Sequence, residues 1–209
     1  MSKNYFDLES GDLSLDYANT ADWHASETPA ERLNSYSDLI TWAEESRLVS
    51  ATEARKLHQL AQQQPEAAVA SYQHAIQVRE AIYAIFSSHY HGQPVPADAL
   101  ALLNDKVREA MSHLQLVQAS GQLRWEWAPG VAGPNLILWS VARAAAELLT
   151  SERLRRVREC EDDRGCGYLF IDQSKNRSRR WCSMDSCGNR AKARRHYARL
   201  QDMHIENIE

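Results

Sequence analysis

Cys160-Glu-Asp-Asp-Arg-Gly-Cys166 and, fifteen residues further on, Cys182-Ser-Met-Asp-Ser-Cys187 hold all four cysteines of a chain of 209 residues. The preceding 159 residues contain none. Thiolates are soft ligands that suit zinc, and two close pairs joined by a hairpin-sized spacer can set four sulfurs at the corners of a tetrahedron. Cys160, Cys166, Cys182 and Cys187 are therefore expected to hold one structural Zn2+ per chain, with no ligand position open for catalysis. Redox thiols or another soft metal are the competing readings. Two disulfides would need an oxidising compartment. The N-terminal residues show no basic stretch followed by an apolar run, and the most apolar segment, Leu136 to Leu149, is interrupted by Arg143, so a cytoplasmic chain without a membrane span is expected.

Around the cysteines, Gly167 to Asp172 is strand-like, Gln173 to Asn176 is turn-like, and Ser178 to Trp181 reads as a return strand. Gly188 to Leu200 is a strong helix former. The expected finger, residues 151 to 209, is thus treble-clef-like: knuckle, hairpin, helix. Trp181, directly before Cys182, reads as its small core.

Residues 1 to 150 are expected to form a helical domain, making the whole chain mainly α with a small β-hairpin. Ser35 to Ser46 carries Tyr36, Leu39, Ile40, Trp42 and Ala43 on one stripe. Ser50-Ala-Thr-Glu53 is a capping-box pattern opening the next helix. A long helix is expected from Glu66 to Tyr90, ended by breakers at Gly92 to Pro96, and a further one runs to about Met111. Leu114 to Val117 and Leu123 to Trp127 alternate across a turn containing Gly121, which reads as a hairpin. After breakers at Gly130 to Pro134, Asn135 to Thr150 reads as a core helix.

Charge divides along the same border. Residues 1 to 150 hold 10 Lys and Arg against 18 Asp and Glu, whereas residues 151 to 209 hold 14 against 10. Between Lys175 and Arg199 there are nine cations and one acid. Such an excess can neutralise phosphates whatever the net charge of the chain. Arg177, Arg179 and Arg180 before the second cysteine pair, and Asn189, Arg190, Lys192, Arg194, Arg195 and Arg199 after it, are the candidate nucleic-acid contacts. The competing reading is that these cations offset the zinc thiolates and the acidic body.

Arg179-Arg-Trp-Cys-Ser-Met184, followed by Cys187-Gly-Asn-Arg190 and Ala191-Lys-Ala-Arg-Arg-His196, resembles the CGNR zinc-finger family. Leu15-Asp-Tyr-Ala-Asn-Thr20 and Leu39-Ile-Thr-Trp42 resemble the ABATE domain that precedes such fingers. The resemblance implies a bacterial, stress-induced transcription regulator. DNA is accordingly the expected partner, with RNA or protein as alternatives.

No nucleotide-binding glycine loop, HExxH or GxSxG motif is present, so no enzymatic activity is expected. Asp16, Asn19, Thr20, Trp42 and Arg79 combine polar groups with an apolar pattern. They are candidates for a small-molecule effector pocket, the alternative being an internal network in which Asp16 and Arg79 satisfy each other. The helical body is also a candidate homodimerisation unit.

Overall fold

The computed structural model describes residues 5–129, 133 and 135–206. Helix α1 (Leu13–Ala18) starts where the Asp12 carboxylate accepts from the Ser14 N–H. Strands β1 (Ala21–Asp22) and β2 (Ala30–Glu31) form a short antiparallel ribbon. Helix α2 (Tyr36–Glu45) buries the expected stripe of Tyr36, Leu39, Ile40, Trp42 and Ala43. Helix α3 (Ala51–Gln63) opens on the expected capping box, with both the Ser50 and the Glu53 hydrogen bonds formed. Helix α4 (Pro65–Tyr90) has Pro65 in its first turn, where the missing N–H has no helical partner to lose.

Helices α5 (Ala97–Ser112) and α6 (Leu136–Leu149) complete the body. Leu15, Trp42, Ile82, Phe86, Ile137 and Leu138 are fully buried at its centre. Between α5 and α6 stands the expected hairpin, β3 (Leu114–Ala119) against β4 (Gln122–Trp127). The breaker expected at Gly130 to Pro134 lies, Gly133 apart, outside the described residues. No helix among the described residues is long and apolar enough to cross a membrane.

A zinc finger follows the helical domain, but its hairpin lies one strand earlier than the sequence predicts. β5 (Val157–Glu159) pairs antiparallel with β6 (Leu169–Ile171), so the hairpin encloses the first cysteine pair. Ser178 to Trp181 forms no strand. The reason is that the other edge of β6 is already covered by the body. The Asn19 side chain donates to Leu169 O and accepts from Leu169 N–H, at 2.8 and 2.9 Å, and Ile171 N–H donates to Ser10 O at 2.8 Å. Asn19 thereby acts as a strand residue in side-chain form. Val157, Leu169 and Ile171 belong to the main hydrophobic core, so finger and body share one interior. The chain then runs through a π-type turn, Met184–Gly188, into helix α7 (Asn189–Glu206).

Candidate metal centre and its basic surround

Cys160 ends β5, Cys166 lies in the turn to β6, Cys182 follows the irregular segment, and Cys187 sits in the turn before α7. All four Sγ atoms lie within 4.8 Å of one another. The Cys166 and Cys182 sulfurs are 3.8 Å apart, and those of Cys182 and Cys187 are 3.5 Å apart. Tetrahedral zinc with bonds of about 2.3 Å sets sulfurs about 3.8 Å apart, so the four cysteines, all free, fit one zinc ion.

Unaided, these sulfurs cannot all carry charge. Thiol hydrogen bonds from Cys166 and Cys182 pull Cys160 well below the usual thiol range, while burial pushes Cys187 up. A dication between them removes that conflict. Two donors already point at the sulfurs: Cys182 N–H at Cys160 Sγ, 3.4 Å, and Arg190 Nη2 at Cys187 Sγ, 2.7 Å.

Arg190 also donates to Asp162 at 3.0 Å, and Arg194, one helical turn on, donates to the same carboxylate at 3.1 Å and pairs with Asp163. The Asp162 side chain is fully buried. Burial pushes its pKa up, but the Arg164 N–H and the two guanidinium groups outweigh that and hold it at about 2. The Arg164 and Arg190 guanidiniums each lie over the Trp23 indole, 5.0 Å from a ring centroid. His24 N–H donates to Cys166 O, and its ring stacks on Tyr83 at 3.6 Å. The knuckle approaches this turn so closely that side chains at Gly165 or Gly167 would meet Ala25, Ser26 or Tyr83 at 2.5 to 2.8 Å. Both glycines also have positive φ.

Five of the nine expected nucleic-acid contacts, Arg179, Arg180, Asn189, Arg190 and Arg194, are bonded to other groups of the protein, although Arg179, Arg180 and Asn189 remain exposed. Arg179 donates to the Trp181 and Cys182 carbonyls and lies over Phe170. Arg180 binds Glu161 at 2.5 Å. Asn189 donates weakly to Asp185 O at 3.4 Å. Lys175, Arg177, Lys192 and Arg195 are exposed and make no ion pair among the described residues. Arg195 from α7 and Arg180 from the preceding segment both lie over Trp181, at 5.9 and 5.3 Å. Arg199 falls outside the residues whose side chains are described.

The polar residues of the expected effector pocket are engaged with other groups, Asn19, Thr20 and Asp16 with the backbone and Arg79 with Glu31 and Glu80, while the buried Trp42 Nε1 has no hydrogen-bond partner among the described residues. Arg79 is buried and binds Glu31 at 2.5 and 2.7 Å and Glu80 at 2.7 Å, so its partner is not Asp16. Asp16 instead accepts from Ser10 N–H. Thr20 lies 3.5 Å from Arg79, while Trp42 is fully enclosed in the core against Tyr17. Only Asn19 of the five lines the open cleft of about 970 Å³ bounded by Tyr5, Glu9, Arg32, Ser183 and Ser186. Asp162 and the Trp23 contact with the finger escape a reading of the sequence. The acidic pair Asp162-Asp163 inside the first knuckle, facing a basic helix, is the signal that marks the former; nothing local marks the latter.

Residues 11–152 match the ABATE family, described as "Putative stress-induced transcription regulator". Residues 156–200 match the CGNR zinc finger, whose end includes Cys187 to Arg190. No curated protein matches the chain. With one family covering most of its length and the other covering the four-cysteine centre, the chain belongs to the ABATE family and carries a CGNR zinc finger.

Proposed function

We propose that this chain is a transcription regulator that binds DNA through its finger, with Lys175, Arg177, Lys192 and Arg195 as the phosphate contacts. The observation that carries this reading is that they are exposed and make no ion pair among the described residues, whereas Arg180, Arg190 and Arg194 of the same finger are bound to carboxylates. Arg180 and Arg195 over Trp181 join the segment before the second cysteine pair to α7 at one place. The family description supports the regulatory role. The zinc supplies folding energy and holds α7 against the knuckle.

Each phosphate neutralised releases condensed counterion, so binding is expected to be strongly salt-dependent. Fluorescence anisotropy with duplex DNA across a salt series tests this. Lys192→Ala combined with Arg195→Ala should flatten the slope of log K against log[salt] by about 1.8, or 0.9 per lost contact. Absence of binding at low salt, or a slope equal to that of the unaltered protein, removes the DNA assignment. Preference for RNA over duplex DNA in competition would redirect it.

A further inference from the structure

From Gln173 to Trp181, between β6 and the second cysteine pair, the chain carries four cations and no acid. Residues 173–178 form neither helix nor strand, yet this turn is closed at its base. Asp172, directly after β6, is fully buried, and its two carboxylate oxygens accept from the Ser174 N–H at 2.8 Å and the Arg179 N–H at 3.0 Å. Burial raises its pKa, but these two bonds outweigh that and hold the carboxyl below its ordinary value. The Asp172 peptide groups are fixed as well: its N–H donates to Arg156 O at 2.8 Å, and its C=O accepts from Arg156 Nη1 at 3.1 Å. Inside the turn, Arg177 N–H donates to Ser174 O and Ser178 N–H to Ser174 Oγ, both at 3.3 Å. Beyond it, Arg179 donates to the Trp181 and Cys182 carbonyls, which ties the turn to a zinc ligand.

Arg177 stands at φ +51°. An arginine is disfavoured in this left-handed region, where glycine is at ease and asparagine nearly so. Its side chain is exposed and makes no ion pair among the described residues, so no contact described there offsets the strain. A strained backbone beneath a cation that the fold does not use points to a partner outside the chain.

We propose that residues 173–178 are a preformed clamp for the phosphates of duplex DNA, with Arg177 as its contact and Asp172 as the residue that positions it. This rests on the DNA-binding reading above and adds to it a residue whose own charge opposes DNA. A turn that is already ordered gives up less freedom on binding than a loose one. The Asp172 carboxylate is buried and directed at two N–H groups, so its charge is largely kept from the ligand.

Fluorescence anisotropy of the zinc-loaded full chain on duplex DNA, over a salt series, separates the two roles. Charge alone predicts that Asp172→Asn, which removes an anion from a basic segment, tightens binding. Positioning predicts the opposite. Asparagine can accept only one of the two N–H groups, so affinity should fall about five- to tenfold, at an unchanged salt slope because every cation is still present. Arg177→Gly should lower the slope by about 0.9 and, by relieving the backbone, raise the thermal midpoint by about 1 to 2 °C. Zinc content and circular dichroism report whether the variants fold. Should Asp172→Asn lose its zinc, Ser174→Ala, which removes only the acceptor of Ser178 N–H, takes its place, with about a twofold loss expected. Equal or tighter binding by the folded Asp172 or Ser174 variant overturns the positioning role, and an unchanged slope in Arg177→Gly overturns the clamp. In either case a flattened slope for Lys192→Ala with Arg195→Ala leaves DNA binding by α7 standing, whereas no binding by the unaltered chain removes both.

Discussion

Asp16 and Asn19 stand three residues apart at the same short helix and have opposite consequences for stability. Asn19 satisfies both backbone groups of Leu169 in a buried position. Asn19→Ala strands a buried N–H and C=O, and should cost about 3 kcal/mol in urea unfolding, with little change in helix content. Burial pushes the Asp16 carboxyl up to about 6, above its ordinary 3.8. The folded state then holds a proton that the unfolded chain releases, so the contribution of Asp16 is most favourable below about pH 4 and is lost as pH rises through 6. Asp16→Asn keeps an acceptor for Ser10 N–H and should raise stability at pH 7 by about 1 to 2 kcal/mol. Thermal midpoints of both proteins between pH 5 and 8 check this; equal midpoints at pH 7 would refute it. Glu80 has the reverse sign. Burial raises its pKa, but His24 and Arg79 outweigh this and hold it at about 2. Its contribution is present above about pH 4.5 and disappears as pH falls through 2.

At the scale of elements, α7 and the first knuckle are held together by the CGNR arginine. Arg190 reaches Cys187 Sγ, Asp162 and the face of Trp23 with one planar guanidinium. Lysine has no such fork. Arg190→Lys should therefore weaken zinc binding by 10- to 100-fold, the range found when groups that orient metal ligands are lost, as read by chelator competition. Gly167→Ala would drive a methyl to 2.5 Å from Tyr83 Oη and 2.7 Å from Ala25 N at a positive φ. A loss of about 2 to 4 kcal/mol is expected, in the range for overpacking combined with backbone strain. Unchanged stability would mean that the knuckle does not press on the body. The two hairpins show what a sequence reveals at this scale. β3–β4 pairs with its neighbour across a two-residue turn and is legible from alternation and Gly121 alone. The partner of β6 is not legible, because Ser10 and Asn19 approach its free edge from about 150 residues away.

Across the whole molecule, the shared interior governs how the protein responds to losing its metal. Val157, Leu169 and Ile171 pack in the main core, while Cys160, Phe170 and Cys187 form a separate small cluster with Trp181 beside it. Chelation of zinc should unfold the second cysteine pair and release α7, yet leave β5, β6 and the helical body in place. Most of the helical circular dichroism should persist, with hydrogen exchange rising over 178–206 and remaining slow in α4 and α6. Collapse of all helical signal on chelation would show instead that the finger and the body unfold as one unit.

The sequence by itself determined helices α2 to α7, the capping box of α3, the β3–β4 hairpin and the four zinc ligands. Each of these is written within a few residues, as an apolar period, a capping box, a two-residue turn or a pair of soft donors. Only the tertiary structure decided what the charges and polar groups do: Arg190 and Arg194 bind Asp162, Arg79 binds Glu31 and Glu80, and Asn19 completes the edge of a strand. A long cationic side chain takes whichever carboxylate the fold brings within about 3 Å, and for Arg79 that carboxylate is 48 residues away along the chain. Composition marked the basic segment, but the fold determined which of its cations are bound to carboxylates and which make no ion pair among the described residues.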